Sequence, residues 1–508
     1  MYNITIYVVI AVCLGLLYIT TVAVYNRFFH PLSNIPGPLL ASWTRLWLVY
    51  RTIQRRSHLS DLSLHARYGS CVRIAPNELL ISNIDYFKTI YGTDTKFSKS
   101  PWYDSIGSDE HDFNLLAERN LSRYWQQKRL ISPVFTTQAL RQHQALLARA
   151  LDTFITKFKN KANEPQDLVR WMNILALDVL SEMTFSCSPN YVLAEDDDAN
   201  CAEIDRFWQH LSWIGLLPTF NRCYKRVQKL LENVGLTFLY KPDTGRLCII
   251  QFYIAQIVTR SNESPELASG HRDIAGTMHN VRAMKPELKK EWADIMLLHV
   301  VGAGFDTLGA TLASCISLIS ETPGCQSRLV KEISDAGIDE DLEHEDLMGL
   351  VYLQACIRES IRLKPVVATS MSRTIPRDGL WIEEKEIPGG TIIGMNPVVL
   401  HRSRELFGDD AECFRPERWL EASKEQHDAM EYYDLAFGSP ARSCPGKNLA
   451  LMILCRTVAD VFRHFSVHIM RDSEVQRVGL PAFKEASFFV YKPYNIWAEF
   501  TTRKDLSA

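Results

Sequence analysis

The distribution of hydrophobic positions first separates the N-terminus from the rest of the chain. Residues 1–26 contain no Asp, Glu, Lys or Arg, and residues 4–25 are almost wholly apolar. About 20 apolar residues are enough for a helix to span a bilayer. The first positive charge, Arg27, follows the apolar run, whereas a cleaved signal peptide carries its charges before a shorter run. Residues 1–26 are therefore predicted to be a retained transmembrane anchor, with the C-terminal bulk in the cytosol.

After the anchor, the pattern predicts a short hinge and one large domain. Residues 27–40 include Pro31, Pro36 and Pro38, which cannot continue a helix, so this stretch is predicted to be a proline-rich hinge. No internal repeat and no clean linker divides residues 41–508. We therefore predict a single, mainly α domain with small β-sheets behind the transmembrane helix.

Within this domain, periodicity distinguishes helices from strands. Apolar residues at spacings of three and four predict mostly helix over 118–260, and apolar runs predict further helices at 292–320, 347–363 and 446–465. A hairpin is predicted at 72–81 and strand-like pieces at 380–400. The polar residues 261–290, broken by Pro265, Gly270 and Pro286, are predicted to be a long surface connection.

Composition and charge exclude several classes of function. The net charge of −3 over 508 residues is close to neutral, and no basic stretch interleaved with aromatic residues stands out, which argues against a nucleic-acid partner. The 12 cysteines form no C-x-x-C pair, so neither a disulfide framework nor a structural zinc site is indicated. Reduced thiols in a cytosolic domain fit this pattern better.

One cysteine lies in a context that differs from all the others. Residues 437–446 have the sequence F-G-S-P-A-R-S-C-P-G, a Gly/Pro-rich loop directly before a predicted helix. A helix N-terminus and free backbone N–H groups stabilise a thiolate. A lone cysteine is usually a small buried apolar residue, but a single thiolate is sufficient to hold an iron whose other ligands come from a porphyrin.

This loop resembles the haem-binding loop of the cytochrome P450 family, F-x-x-G-x-R-x-C-x-G. The matching residues are Phe437, Arg442, Cys444 and Gly446, and Pro440 stands where the family usually has glycine. Because proline fixes φ near −65°, either the turn is built differently here or this position never needed a positive φ. The resemblance implies a P450-type helical fold in which Cys444 is the axial ligand of haem b.

Three further segments extend the resemblance. Glu359 and Arg362 form an E-x-x-R, and Arg418 lies in P-E-R-W, where the family has P-E-R-F. Three residues apart on a helix, Glu359 and Arg362 can bond to each other, which on its own would be an ordinary surface pair. The resemblance implies instead that Glu359, Arg362 and Arg418 form a buried triad that fixes the core.

The predicted helix 292–320 carries the third segment, A-G-F-D-T. An acid and a hydroxyl inside an apolar helix need partners or a function. The alternative is a local kink in which Thr307 bonds back to a carbonyl. The resemblance implies that Thr307, with Asp306 behind it, relays protons to dioxygen. His299 and Ala303 lie on the same helical stripe as Thr307, and both are candidate substrate contacts.

Haem carries two propionates, and these need cations. The candidates are Arg442, Arg373 and the pair Trp125-x-x-x-Arg129, which fits the family's W-x-x-x-R only after a shift of one residue. A single arginine of this kind is more often a solvated surface residue.

The sequence therefore predicts a haem-thiolate monooxygenase that activates O2 and oxidises a hydrophobic small molecule. The segment N-R-F-F-H-P-L-S-N-I-P-G-P resembles the corresponding segment of fungal cytochrome P450 enzymes that act in specialised metabolism. Electrons would come from a separate NADPH-cytochrome P450 reductase, with cytochrome b5 as a second donor, at the endoplasmic reticulum membrane. Two alternatives stay open: a haem-thiolate isomerase or dehydratase that needs no O2, and a haem-based sensor or binding protein.

Overall fold

Helices form most of the structure, a computed structural model that describes residues 2–107, 113–233, 248–263, 270–337 and 342–503. The longer helices are Tyr2–Val24, Leu46–Ile53, Ser57–Tyr68, Leu121–Ile131, Gln144–Lys159, Leu168–Phe185, Asn200–Ile214, Pro218–Asn233, Cys248–Ser261, Ile274–Met284, Lys290–Glu321, Cys325–Asp335, Val351–Leu363, Lys424–Tyr432 and Lys447–His464. Shorter helical segments are Leu39–Trp43, Phe87–Tyr91, Thr137–Arg141, Tyr191–Ala194, His344–Gly349, Pro397–Leu400, Arg404–Phe407, Arg418–Glu421 and Asp472–Arg477. The predicted mainly helical fold is confirmed.

Small sheets fill the remaining space. The strands are β1 (Cys71–Ala75), β2 (Glu78–Ile81), β3 (Ser98–Lys99), β4 (Gln166–Asp167), β5 (Arg373–Thr374), β6 (Leu380–Ile382), β7 (Lys385–Ile387), β8 (Ile392–Gly394), β9 (Phe465–Ile469), β10 (Lys484–Ser487), β11 (Tyr491–Tyr494) and β12 (Trp497–Thr502). The largest sheet has the order β1-β2-β8-β5-β3, with β2 and β8 parallel. The others are β4-β12-β9, β10-β11 and β6-β7. The hairpin β1–β2 is the one predicted at 72–81.

The helix Lys290–Glu321, called here the central helix, runs through the main hydrophobic core. It packs along Leu168–Phe185, a helix in which every side chain except that of Arg170 is buried. The central helix is long and apolar enough to cross a membrane, but most of its apolar stretch is buried inside the protein. It is therefore the core helix, and Asp306 is one of the few polar residues that it holds in the protein interior.

The N-terminal helix has the opposite surroundings. Val9–Phe29 is strongly apolar, unburied and long enough to span a bilayer. The residues that follow it are packed rather than free: Leu32 and Ile35 are buried in a small core with residues of β1, β2 and β8. The buried Arg73 donates hydrogen bonds from its guanidinium to the carbonyl oxygens of Asn26 (2.9 Å) and Pro76 (2.7 Å). The predicted division of the chain into an anchor (1–26), a hinge (27–40) and one large domain (41–508) stays a prediction.

One sequence prediction was wrong. Residues 261–290, predicted to be a surface connection, contain the helix Ile274–Met284, whose Ile274, Met278 and Val281 are buried against the main core. These residues have helical spacing, but the window around them is dominated by polar and helix-breaking residues. Residues 264–269 of that stretch, and 234–247 of the stretch predicted to be mostly helical, lie outside the described residues.

Candidate active site

The loop that carries Cys444 is closed by backbone contacts across Gly438. The Cys444 N–H donates to the Phe437 carbonyl at 2.7 Å. Gly438 has φ +86°, and a Cβ on it would lie 2.6 Å from the carbonyl oxygen of Arg442. Only glycine is comfortable in that conformation and that space.

Pro440 fits the loop without a positive φ. It begins a short 3₁₀ turn, Pro440–Arg442, and the preceding Ser439 is extended at φ −84° and ψ 160°. Proline is well suited to the first position of such a turn, and it favours an extended residue before it. The sequence left open whether the turn is built differently or position 440 never needed a positive φ. The latter is correct, because the positive φ lies at Gly438.

The Cys444 sulfur faces the beginning of the helix Lys447–His464. Pro445 has no N–H, and the backbone N–H groups of Gly446 and Lys447 donate to the sulfur. The side chain is accessible to solvent although protein surrounds it closely. This surrounding protein raises the pKa of the Cys444 thiol, whereas the two amides and the ammonium groups of Lys128 and Lys447 act to lower it. The environment thus supplies donors for a thiolate, and a bound metal would favour the deprotonated form further.

The helix Leu121–Ile131 holds the loop from the side. Tyr124 donates its hydroxyl to the Ser443 carbonyl at 2.8 Å, and the Lys128 ammonium donates to the same carbonyl at 3.1 Å. Trp125 and Arg129 are exposed. Because successive helical residues are about 100° apart, the shift of one residue seen in the sequence changes the face. The structure places Tyr124 and Lys128, and not Trp125 and Arg129, against the loop.

Three cations are buried together beside this loop. Lys99 and Arg373 are directly opposite each other in the β3–β5 pair, at 5% and 2% exposure. Arg442, at 6% exposure, donates to the carbonyl oxygens of Glu118 (2.5 Å) and Arg119 (2.6 Å). Like charges opposite each other in a sheet are destabilising. The cluster Lys99–Arg373–Arg442 therefore needs negative charge.

The nearby Glu118 carboxylate does not supply enough negative charge to balance the three cations. Glu118 is already paired with Arg123. Burial and the neighbouring Arg442 and Arg373 hold the pKa of Lys99 well below its ordinary value. Burial and Arg373 lower the pKa of Arg442 to about 10, and its Nε is buried with no partner in the described part of the chain. The cluster has the properties of a binding site for a dianion.

The E-x-x-R pair lies in the protein interior. Arg362 makes two hydrogen bonds to the Glu359 carboxylate, both 2.8 Å long, and Arg418 donates to Glu359 at 3.2 Å. Burial acts to raise the pKa of Glu359, but the bonds from Arg362 and the charge of Arg418 leave it below its ordinary value. The structure therefore brings Glu359, Arg362 and Arg418 together as the predicted triad, and the surface-pair alternative does not apply.

Two neighbours of the triad were not predicted. Trp419, which stands where the family has Phe, donates its indole N–H to Glu359 Oε2 at 2.9 Å. His401 lies between the triad and the cysteine loop: Nδ1 is 3.2 Å from the Arg362 carbonyl, and Nε2 accepts from the Leu435 N–H at 3.1 Å. The triad is thus connected to the segment that leads into Phe437.

The central helix carries the remaining predicted residues. His299 and Thr307 are half-buried and Ala303 is exposed, although this helix is otherwise largely buried, so the stripe borders open space. The Thr307 hydroxyl donates back to the Ala303 carbonyl at 2.8 Å. Asp306 is 2% exposed and forms an ion pair with the buried Lys492. Burial lowers the pKa of His299, so its imidazole is neutral at neutral pH.

Comparison with known proteins agrees with this arrangement. The family model described as Cytochrome P450 matches residues 36–481. The chain belongs to the cytochrome P450 family. A cytochrome P450 monooxygenase of Sordaria araneosa, sdnT, is 30% identical over 92% of both chains. A pisatin demethylase of Fusarium vanettenii is 28% identical over 90% of this chain and 89% of its own. The P450 monooxygenase hepC of Aspergillus oryzae is 27% identical over 88% of this chain and 89% of its own.

The residues of this P450 fit a haem. All 12 cysteines are free thiols, and no cluster of three or more His, Cys, Asp or Glu side chains that could hold a metal occurs among the residues described here. A single thiolate therefore matches the donor set that iron porphyrin requires. The Lys99–Arg373–Arg442 cluster matches the two carboxylates that haem carries. Phe437 is half-buried against the main core and completes the start of the loop.

Lys99 is the main P450 residue that sequence reasoning missed at this site. Its pairing with Arg373 depends on β3 and β5, two strands of two residues each that are far apart in the chain. Such short strands leave no periodic signal. Tyr124 and Lys128, by contrast, could have been found by using the downstream S-P-V-F segment to set the register of W-x-x-x-R.

Proposed function

We propose that Cys444 holds the iron of haem b and that this enzyme uses O2 and NADPH-derived electrons to oxidise a hydrophobic small molecule. The observation that carries the proposal is the Cys444 sulfur, which accepts hydrogen bonds from the Gly446 and Lys447 amides at the start of a helix. Thiolate-ligated haem, when bound, supplies electron density that favours O–O bond cleavage. The protein's own contribution is to hold the sulfur, the carboxylates and the substrate.

The test is the absorption spectrum of the reduced protein under CO. The parent protein is expected to give the red-shifted Soret band of a thiolate-ligated ferrous haem, and Cys444→Ala is expected to lose it. Cys413→Ala is the matched control, because Cys413 is also an exposed free thiol and is not in the loop. A thiolate band that persists in Cys444→Ala would overturn the assignment.

The haem carboxylates are proposed to bind Lys99, Arg373 and Arg442. The sequence analysis named Arg373, Arg442, Trp125 and Arg129 as candidates for this role. The proposal keeps the first two and adds Lys99. Anions bound there would remove the repulsion between three buried cations and give Arg442 Nε an acceptor. Charge-assisted hydrogen bonds of this kind are about twice as strong as neutral ones.

Proton delivery is proposed for Thr307 and Asp306. The Thr307 hydroxyl lies on the stripe that borders open space and donates its hydrogen to the Ala303 and Gly304 carbonyl oxygens, which leaves its lone pairs available to water. To pass a proton on, the hydroxyl would accept one from water and turn its own hydrogen away from Ala303, with Asp306, the preceding residue, as the acid behind it. His299 and Ala303, on the same stripe, are proposed to contact the substrate.

A membrane location is proposed at the endoplasmic reticulum, with the catalytic domain on the cytosolic side. The exposed apolar helix Val9–Phe29 supports an anchor. Further exposed apolar side chains follow it, on the two helices that come next: Leu39, Leu40, Trp43, Leu46, Tyr50 and Ile53. Such a patch favours contact with a bilayer, and a bilayer would also hold hydrophobic substrates.

A separate NADPH-cytochrome P450 reductase, with cytochrome b5 as a second donor, is the proposed electron source. Lys447, next to Cys444, and Arg129, on the helix that braces the loop, are both exposed. Exposed positive charges near the haem would steer an acidic partner to that face. The relatives named above support fungal specialised metabolism as the setting for the substrate.

Dependence on the reductase and O2 separates this proposal from its alternatives. A monooxygenase consumes NADPH and O2 with product, whereas a haem-thiolate isomerase or dehydratase turns over without either. A sensor or binding protein would show ligand-induced spectral changes but no turnover of any compound. Product analysis after deletion of the gene is the most direct route to the substrate.

A further inference from the structure

Three elements meet at one buried ammonium, that of Lys492. Lys492 lies on β11 and is 5% exposed. Its Nζ is ion-paired with Asp306 of the central helix, and it is 2.8 Å from Oδ1 of Asp205, on the helix Asn200–Ile214. A lysine at this depth is rare unless it is paired. Here it has two carboxylate partners from two different helices.

The charges of this group do not cancel. The second oxygen of Asp205 accepts a hydrogen bond from the Tyr494 hydroxyl at 2.8 Å. The second oxygen of Asp306, Oδ2, is buried and has no partner among the residues that the structure describes. Two carboxylates share one cation, and the excess negative charge is left on an oxygen of the residue that precedes Thr307.

Two further titratable side chains beside this group, those of Cys201 and Tyr494, stay neutral. Burial raises the pKa of Cys201, also on the helix Asn200–Ile214, well above its ordinary value. Burial likewise raises the pKa of Tyr494, which Arg55 acts to lower. The charge state of the cluster therefore depends on Lys492, Asp205 and Asp306.

We propose that Lys492 is a positioning residue that sets the basicity of Asp306 Oδ2 and makes it depend on the helix Asn200–Ile214. The inference rests on the proposed role of Asp306 in proton delivery. When Asp205 shares the Lys492 ammonium, the negative charge of Asp306 is less fully neutralised, and Asp306 takes up a proton more readily. When that helix withdraws Asp205, Lys492 pairs with Asp306 alone, and Asp306 becomes a weaker base.

The same helix has other contacts near this group. Trp208 stacks on Phe489 (5.3 Å between ring centroids), which in turn stacks on Trp102 (5.0 Å). Gln209 accepts a hydrogen bond from Arg55 at 2.8 Å. A ligand bound against this aromatic stack would therefore bear on the helix that also carries Asp205. Lys492 is then the contact through which such a ligand reaches the acid of the central helix.

The test compares two variants that should act in opposite directions. In protein reconstituted with a reductase and without added substrate, the measurement is the ratio of hydrogen peroxide formed to NADPH consumed, as a function of pH. Lys492→Met removes the cation and is expected to move the midpoint of this profile up by about one pH unit or more. Asp205→Asn leaves Lys492 to Asp306 alone and is expected to move the midpoint down.

Two further variants make the result specific. Lys492→Arg keeps the charge and is expected to restore the parent midpoint. Lys484→Met, at an exposed position on the neighbouring strand β10, is the matched control and should leave it unchanged. A general loss of packing would not shift the midpoint in opposite directions. The inference is overturned if Lys492→Met and Asp205→Asn leave the midpoint unchanged or shift it the same way.

The CO spectrum separates this inference from the proposed function. Each variant is first checked for the thiolate Soret band. If the parent protein lacks that band, the proposed function fails. If the band is intact in all variants and the midpoints do not move, the role of Lys492 alone is refuted.

Discussion

Trp419→Phe introduces the residue that the family usually has, and we expect it to destabilise this protein. The indole N–H of Trp419 donates to Glu359 Oε2 at 2.9 Å, beside the 2.8 Å bond from Arg362. Phenylalanine fills most of the same space but has no donor. Hydrogen bonds to charged groups contribute about 1.5–3 kcal/mol. Because Trp419 is half-buried and water can reach part of the site, the expected loss is about 1.5 kcal/mol.

The pH dependence has a definite sign. The folded-state pKa of Glu359 is below its ordinary value, mainly because of Arg362, so the carboxylate stabilises the fold above its unfolded pKa and loses this effect as pH falls through the folded pKa. Without the indole donor, the carboxylate is less well stabilised, and the folded pKa of Glu359 rises towards its ordinary value. The difference between Trp419→Phe and the parent should therefore be largest near neutral pH and shrink below about pH 4, near the carboxyl's ordinary pKa.

The assay is urea unfolding of the haem-loaded protein, followed by Soret absorbance at several pH values. Trp381→Phe is the control, because Trp381 is 63% exposed and its replacement should change the unfolding free energy by less than about 0.5 kcal/mol. If Trp419→Phe is as stable as the parent at neutral pH, the indole bond does not support the triad and this reasoning fails.

Three other predictions concern the loop, the cation cluster and the pocket. Gly438→Ala should abolish the thiolate Soret band, because the added Cβ would meet the Arg442 carbonyl oxygen. Pro440→Gly should keep the band and lower the unfolding free energy by about 0.5–1 kcal/mol. Equal sensitivity of the band to the two substitutions would contradict this account. Lys99→Met should speed haem dissociation relative to exposed Lys96→Met, and the difference should vanish with haem whose propionates are methyl esters; a difference that persists would rule out a carboxylate contact. His299→Ala should change the dissociation constant of 4-phenylimidazole, measured by its binding spectrum, by about fivefold (about 1 kcal/mol), with exposed His468→Ala unchanged; no change would remove His299 from the pocket.

The sequence was most informative where a local pattern determines the geometry. A cysteine before a helix, a pair three residues apart on a helix and a stripe at spacings of four are all consequences of helical geometry. The structure accordingly places Cys444 at a helix N-terminus, joins Glu359 to Arg362 and puts His299, Ala303 and Thr307 on one side of the central helix.

The sequence was least informative where partners come from distant segments. Lys99 meets Arg373 through two-residue strands, and Lys492 meets Asp205 and Asp306 through a hairpin and two helices. Nothing local distinguishes these lysines from solvated ones. The register of Leu121–Ile131 is a third case: a one-residue difference decides whether Trp125 or Tyr124 faces the loop, and only the contact with Ser443 determines it.

The contacts that Arg73 makes with the end of the N-terminal helix also bear on how a soluble form of the enzyme can be made. Arg73 bonds to the carbonyl of Asn26, and Leu32 and Ile35 are buried against the catalytic domain. Cutting at Pro36 would uncover the apolar surface that Leu32 and Ile35 bury and remove one of the two carbonyl acceptors of a buried guanidinium, which favours aggregation. A truncation that retains Asn26 removes the apolar helix before it and keeps these contacts, so purification without detergent should start from that point.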